Sequence, residues 1–122
     1  MAELTMGPRQ AGFIISEGNG YISREQVVLK NAAGALKPGT VLGQVTADSE
    51  YVQLTQDAVD GSEVAAGILY RDEDATDAAQ QILIIARDAE VDAIQLIWPA
   101  DIDAGEKTTA ISQLEAAGII VR

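Results

Sequence analysis

The chain has 122 residues, with 8 Lys and Arg against 19 Asp and Glu, and neither His nor Cys, giving a formal net charge of −11. That length predicts one domain of ordinary size. At 48% hydrophobic and 22% charged, the chain is apolar enough to bury a core rather than stay disordered. The missing cysteines exclude disulfides, thiolate nucleophiles and thiolate metal sites. The missing histidines remove the usual side chain for proton transfer near neutral pH and the commonest transition-metal ligand. The negative charge runs against partners recognised through phosphate, both nucleic acid and anionic membrane surfaces.

In chain order, Met1 to Ser16 lacks the positive start and uninterrupted apolar stretch of a secretory signal, because Glu3, Arg9 and Gln10 break it up. The longest strongly apolar run, Ile82 to Ala86, is far short of the roughly 20 residues that span a bilayer. The expectation is a soluble protein released into the cytoplasm where it is made. Residues 1 to about 12 read as an irregular arm, since Gly7, Pro8 and Gly12 discourage regular structure. Phe13-Ile14-Ile15 is a brief apolar patch, followed by a turn at Glu17-Gly18-Asn19-Gly20.

Gln26 to Lys30 reads as a strand, and turns follow at Asn31 to Gly34 and at Leu36-Lys37-Pro38-Gly39. Thr40 to Thr46 is strand-like, with Gly43 marking a bulge or a close backbone approach, and Tyr51 to Thr55 alternates like a half-buried strand. Asp57 to Glu63 is a loop turning at Asp60-Gly61. Strands are expected at Val64 to Tyr70 and Gln80 to Arg87, separated by the acidic connection Asp72 to Asp77. Asp88-Ala89-Glu90 reads as a turn, and Val91 to Trp98 as a strand or short helix ending before Pro99. One helix is expected, capped by Thr108 or Thr109, carrying Ile111 and Leu114 on one face and stopped by Gly118. Ile119 to Val121 closes the chain as a strand. Seven or eight short strands, one helix and no visible βαβ alternation predict a mainly β barrel or sandwich. Gly39, Gly43, Gly61, Gly67 and Pro99 are the expected structural turns.

Few residues point to chemistry. Asp72-x-Asp74-x-Thr76 begins like a calcium loop, but the sixth and twelfth positions hold Asp77 and Leu83 instead of Gly and Glu. The serines have no His to activate them and no Gly-x-Ser-x-Gly elbow. Gly18-x-Gly20 lacks the third glycine of a dinucleotide loop. Carboxylate pairs that could run a hydrolase mechanism arise by chance among so many acids. Trp98 reads either as a core residue at a strand end or as a stacking aromatic. No catalytic residue, metal site or cofactor is assigned. An irregular arm with an apolar patch suits addition of a strand to a partner's sheet edge.

An ordered set of segments resembles the bacteriophage head decoration proteins, the family of the lambda capsid decoration protein. Leu36-Lys37-Pro38-Gly39-Thr40-Val41-Leu42-Gly43 carries the likeness first. Asp60 to Glu63, Ala66 to Leu69, Arg87 to Val91, Leu96 to Pro99 and Leu114 to Arg122 continue it in the family's order, and Tyr21 to Glu25 is similar to the family's arm-to-core junction. The likeness covers residues 13 to 122.

The resemblance implies a β-clip fold, an incomplete barrel of short strands with little helix. It implies a homotrimer on the outer surface of the virion capsid, over local threefold sites, binding the major capsid protein after head expansion and stabilising the head against packaging pressure. No catalysis, nucleic acid or membrane is implied. Residues 1–20 then read as a loose capsid-binding arm, with Met6, Pro8, Phe13, Ile14 and Ile15 as its contacts, and residues 21–122 as a single decoration domain. The charge of −11 would keep decorated heads apart. The alternative is a small acidic module of the same fold that binds a sugar or another polar ligand through Trp98 and the carboxylates.

Overall fold

The computed structural model describes residues 12–18, 22–55, 58–100 and 102–122. The strands are β1 (Ile14–Glu17), β2 (Arg24–Leu29), β3 (Ala35–Leu36), β4 (Val41–Gln44), β5 (Tyr51–Gln53), β6 (Ala65–Leu69), β7 (Glu73–Asp74), β8 (Gln80–Ile85), β9 (Ala89–Val91) and β10 (Ile119–Val121). Helix α1 spans Ala104–Ala116, and a single 3-10 turn covers Ala93–Gln95. The protein is mainly β, as expected, with one short C-terminal helix.

Five strands form a closed barrel in the order β2-β5-β4-β6-β8. Its longest seam runs antiparallel from Arg24↔Ile85 to Leu29↔Gln80. The ring closes at its narrowest seam, one parallel pair Leu29↔Tyr51, supported by the Lys30 amide donating to the Tyr51 carbonyl at 2.8 Å. The strands form because alternate side chains have two apolar environments to enter. Successive residues of a strand point to opposite faces. Val41, Ile68 and Ile85 accordingly join one buried cluster, while their neighbours Leu42, Leu69 and Ile84 join the other. All six have essentially no exposed surface. Burial of each such side chain stabilises the fold by about 1.5–3 kcal/mol. The β3–β7 ribbon adds Leu36 to the second cluster.

Gly43 interrupts β4 as a bulge. The β4–β6 register shifts between Leu42 and Gly43, and a Cβ there would collide with the Ser62 carbonyl and lie 2.8 Å from its carbon. Gly67, read from the sequence as a turn, instead sits within β6, where a Cβ would meet Ile84 Cδ1 at 2.9 Å. Gly39 and Gly61 are the true turn glycines of the set, with φ of +92° and +106°. Pro99 is buried, and its carbonyl accepts from Ile102 as the chain turns towards α1.

A three-stranded sheet, β1-β9-β10, packs on the first cluster. β1 pairs antiparallel with β9, and β10 pairs parallel with it. Parallel neighbours need a crossover, and α1 supplies it, so the C-terminus holds one β-α-β unit that the sequence pattern does not display. The helix also begins earlier than Thr108. Asp103 caps it, its side chain accepting from the Glu106 amide at 2.8 Å while Glu106 accepts from the Asp103 amide at 3.1 Å. That reciprocal box satisfies two orphan donors. Thr108 and Thr109 lie inside the helix and donate to the Ala104 and Gly105 carbonyls. Ala110 and Leu114 are its buried residues, and Gly118, at φ +94°, ends it as expected.

One polar network crosses this sheet. Ser16 donates to Glu90 at 2.8 Å, and Arg122 donates to the other Glu90 oxygen at 2.8 Å. The Arg122 hydrogen bond, then that of Ser16, holds the Glu90 carboxyl below its ordinary value of 4.5. The native state therefore binds fewer protons there than the unfolded chain. The stabilisation is complete above pH 4.5 and is lost as pH falls through the lower, folded value.

Two outcomes follow from this packing. Gly43→Ala should destabilise the protein by about 1–3 kcal/mol through overpacking, read from the urea midpoint. The stability gap between the native chain and Glu90→Gln should shrink as pH falls below 4.5. An unchanged gap at pH values well below that would refute the role given to Glu90.

Candidate functional site

The segment that carries the N-terminal residues into the fold enters along β1. Among the residues expected to grip a partner, Met6 and Pro8 lie outside the described residues. Phe13 is 2% exposed and belongs to the first core cluster, with Val41, Ile85 and Leu114 among the cluster's other members. Ile14 is half-buried against the same cluster. Only Ile15, at 53% exposure, turns its side chain to solvent. Phe13 and Ile14 thus pack against the core. The largest apolar side chain near the N-terminus gains more from the core than from water.

Around β1 the surface mixes apolar and charged groups. Ile120 lies exposed on β10, one strand beyond Glu90, and Ile94 is 92% exposed on the 3-10 turn that follows β9. A shallow groove of about 280 Å³ runs between β1 and β10, lined by Ser16, Gly18, Asp88, Glu90, Gly118 and Ile120 among others. Its floor is held by Ser23, which is buried, donates to the Asp88 carbonyl at 2.7 Å and accepts from the Gly18 amide at 2.7 Å. The sequence reading did not single out Ile94 or Ile120. For Ile120 the signal was the alternation of the terminal strand, which turns it away from buried Ile119.

Five of the aspartates are occupied in building loops and helix starts. Asp48, Asp60, Asp74 and Asp92 each accept from the backbone amide two residues on, and Asp103 from the one three residues on. This is the local side-chain-to-backbone bonding that favours Asp at turns and caps. The Ser62 hydroxyl and amide hold Asp60 below the usual carboxylate range, and the Thr76 hydroxyl and amide do so for Asp74. Lys30, then the Glu50 amide, does the same for Asp48, and Asp48 in turn raises Lys30. Burial pushes Glu73 up. The Asp72-x-Asp74-x-Thr76 segment is therefore a turn closed on itself. Among the described residues, no three His, Cys, Asp or Glu side chains gather as a metal site.

Cations are spent similarly. Arg24 forks onto Glu17 at 2.6 and 3.1 Å and lies 4.6 Å from the Tyr70 ring centre. Lys37 pairs with Asp72 at 3.4 Å and Arg87 with Glu25 at 3.4 Å. Trp98 is half-buried against the first cluster, and the Lys107 ammonium stands over its ring at 5.6 Å. It serves as a core-edge residue with one face covered. No helix among the described residues is long and apolar enough to cross a membrane.

The arrangement among the described residues offers surfaces and strand edges. A comparison with curated proteins finds no match. The family model described as bacteriophage lambda head decoration protein D matches residues 3–119 of the 122-residue chain. That span runs from ahead of β1 through the barrel and α1 to the first residue of β10. The chain belongs to the bacteriophage lambda head decoration protein D family.

Proposed function

We propose that this protein is a non-catalytic cement for a phage head, acting as a homotrimer on the outside of the expanded capsid at local threefold sites. The observation that carries the reading is the family match over residues 3–119. Residues 1–11 are the proposed capsid-binding arm, attached to the domain at Phe13 and β1. Exposed Ile15 at the root of the arm extends the contact. The major capsid protein is the partner, and the particle surface is where the protein works.

The mechanism needs no chemistry. Each arm makes a modest contact, and three arms on one trimer raise the effective concentration of the second and third. Avidity of this kind multiplies affinity by roughly 10²–10⁴. Because Phe13 is fixed in the core, a pull on the arm is passed to the barrel instead of peeling β1 away. The acidic surface supports a role without nucleic acid. Of the seven cations among the described residues, five are already paired with carboxylates. The polar-ligand alternative drew on Trp98, whose ring is taken up by the core edge and Lys107.

A chain lacking residues 1–11 should fold and form a trimer by light scattering, yet remain in the supernatant when mixed with expanded heads and sedimented. The full chain should pellet with expanded heads and not with unexpanded ones. Equal pelleting of the two chains would refute the arm. A monomer at high micromolar concentration would refute a trimer formed before docking.

A further inference from the structure

The loop between β5 and β6 contains Asp60-Gly61, a dipeptide prone to backbone rearrangement because glycine shields its own nitrogen least. In that reaction the Gly61 nitrogen attacks Asp60 Cγ. A C–N bond forms, and the carboxyl hydroxyl and the amide proton depart together as water, leaving a five-membered succinimide. Water then reopens the ring at either carbonyl, restoring Asp60 or leaving an isoaspartyl link that runs through its side chain. The electrophile is the protonated carboxyl, since an ionised carboxylate has no hydroxyl to lose.

The fold cannot escape this liability by replacing the glycine. Gly61 has φ +106°, and a Cβ would collide with Thr46 Oγ1 and lie 2.7 Å from the Gln44 carbonyl. Asp60 is exposed, so water reaches it. Yet both reacting groups are already engaged. Asp60 Oδ1 accepts from the Ser62 amide at 3.0 Å and the Ser62 hydroxyl at 2.6 Å, and Ser62 is itself only 2% exposed. The Gly61 amide donates to Glu63 Oε2 at 2.8 Å. The backbone is pinned at each step as well. Asp60 O accepts from Thr46 at 2.8 Å, Gly61 O from Val64 at 3.2 Å and Ser62 O from Thr55 at 3.0 Å. The carboxylate is held ionised by the same Ser62 donors.

We propose that Ser62 and Glu63 form a lock that protects the Asp60–Gly61 bond from isomerisation, making residue 60 a modification site that opens only when the loop is released. Ser62 holds the carboxylate and Glu63 holds the attacking nitrogen. An isoaspartyl link would lengthen the backbone beside the Thr46–Asp60 pair and the close Gly43–Ser62 approach, so the lock also preserves the β4–β6 packing.

The full chain, Ser62→Ala, Glu63→Ala and Glu63→Gln are incubated at neutral pH beside a peptide spanning Val59 to Val64. Isoaspartate is read by methyltransferase labelling and mass spectrometry. The folded chain should isomerise more slowly than the peptide. Ser62→Ala and Glu63→Ala should isomerise faster than the native chain, by about tenfold if each loses ~1.4 kcal/mol of charge-assisted hydrogen bonding. Glu63→Gln keeps an acceptor and should stay near the native rate. A native chain that isomerises as fast as the peptide overturns the proposal. So does Glu63→Ala isomerising no faster than the native chain, which would make the carboxylate a base instead of a clasp. Circular dichroism identifies any variant that has unfolded, and the native-against-peptide comparison then decides alone.

Discussion

Strand β9 is three residues long, and both ends of the described chain are hydrogen-bonded to it. β1 runs antiparallel on one side and β10 parallel on the other. A central strand this short holds its neighbours only because its inner face is buried: Val91 is fully enclosed and Ala89 nearly so. The parallel pair in turn depends on the crossover through α1. That helix is fixed at its start by the Asp103–Glu106 box and along its length by Ala110 and Leu114. Gln113 adds a tie to the barrel by accepting from the Ala65 amide at 2.8 Å. Loss of any one contact loosens a layer in which each strand lacks the length to stand alone.

The same constraint decides what the N-terminal region can do. A residue that fills the core cannot also grip a partner. Phe13 sits in the cluster shared by the barrel and by α1, so its side chain links the edge strand to the most buried part of the molecule. The proposed grip therefore falls to the residues ahead of it and to Ile15. Load entering at β1 would spread through Phe13 into Val41, Ile68 and Ile85 rather than into one ladder of hydrogen bonds.

Sequence alone revealed the elements whose signals are local. The apolar run of β8, the Gly39 turn, the Asp60-Gly61 turn and the Gly43 bulge each rest on neighbouring residues and were legible. β1, β3, β7 and β9 were not, because their residues sit beside turn signals and become strands only when a distant partner supplies the ladder. Ile14 pairs with Val91, and Leu36 with Glu73. The turn read at Asp88 to Glu90 holds only for Asp88, at φ +50°; the next two residues already belong to β9. The helix start was written in the sequence as Asp103-x-x-Glu106, a capping box hidden by two threonines that looked like better caps. The burial of Phe13 was hidden for a related reason: an apolar patch beside an irregular segment shows no cluster that receives it.

The surplus of negative charge also has a structural origin. Five aspartates each accept a backbone amide at a loop or helix start, which a neutral chain would have to satisfy otherwise. Aspartate does this best when ionised, because a charged acceptor makes the stronger bond. A small barrel with many tight connections thus accumulates acidic side chains as a consequence of its loops, and those side chains face solvent. Charge and fold therefore change together: neutralising Asp60 or Asp103 would remove a loop or cap contact along with a unit of surface charge.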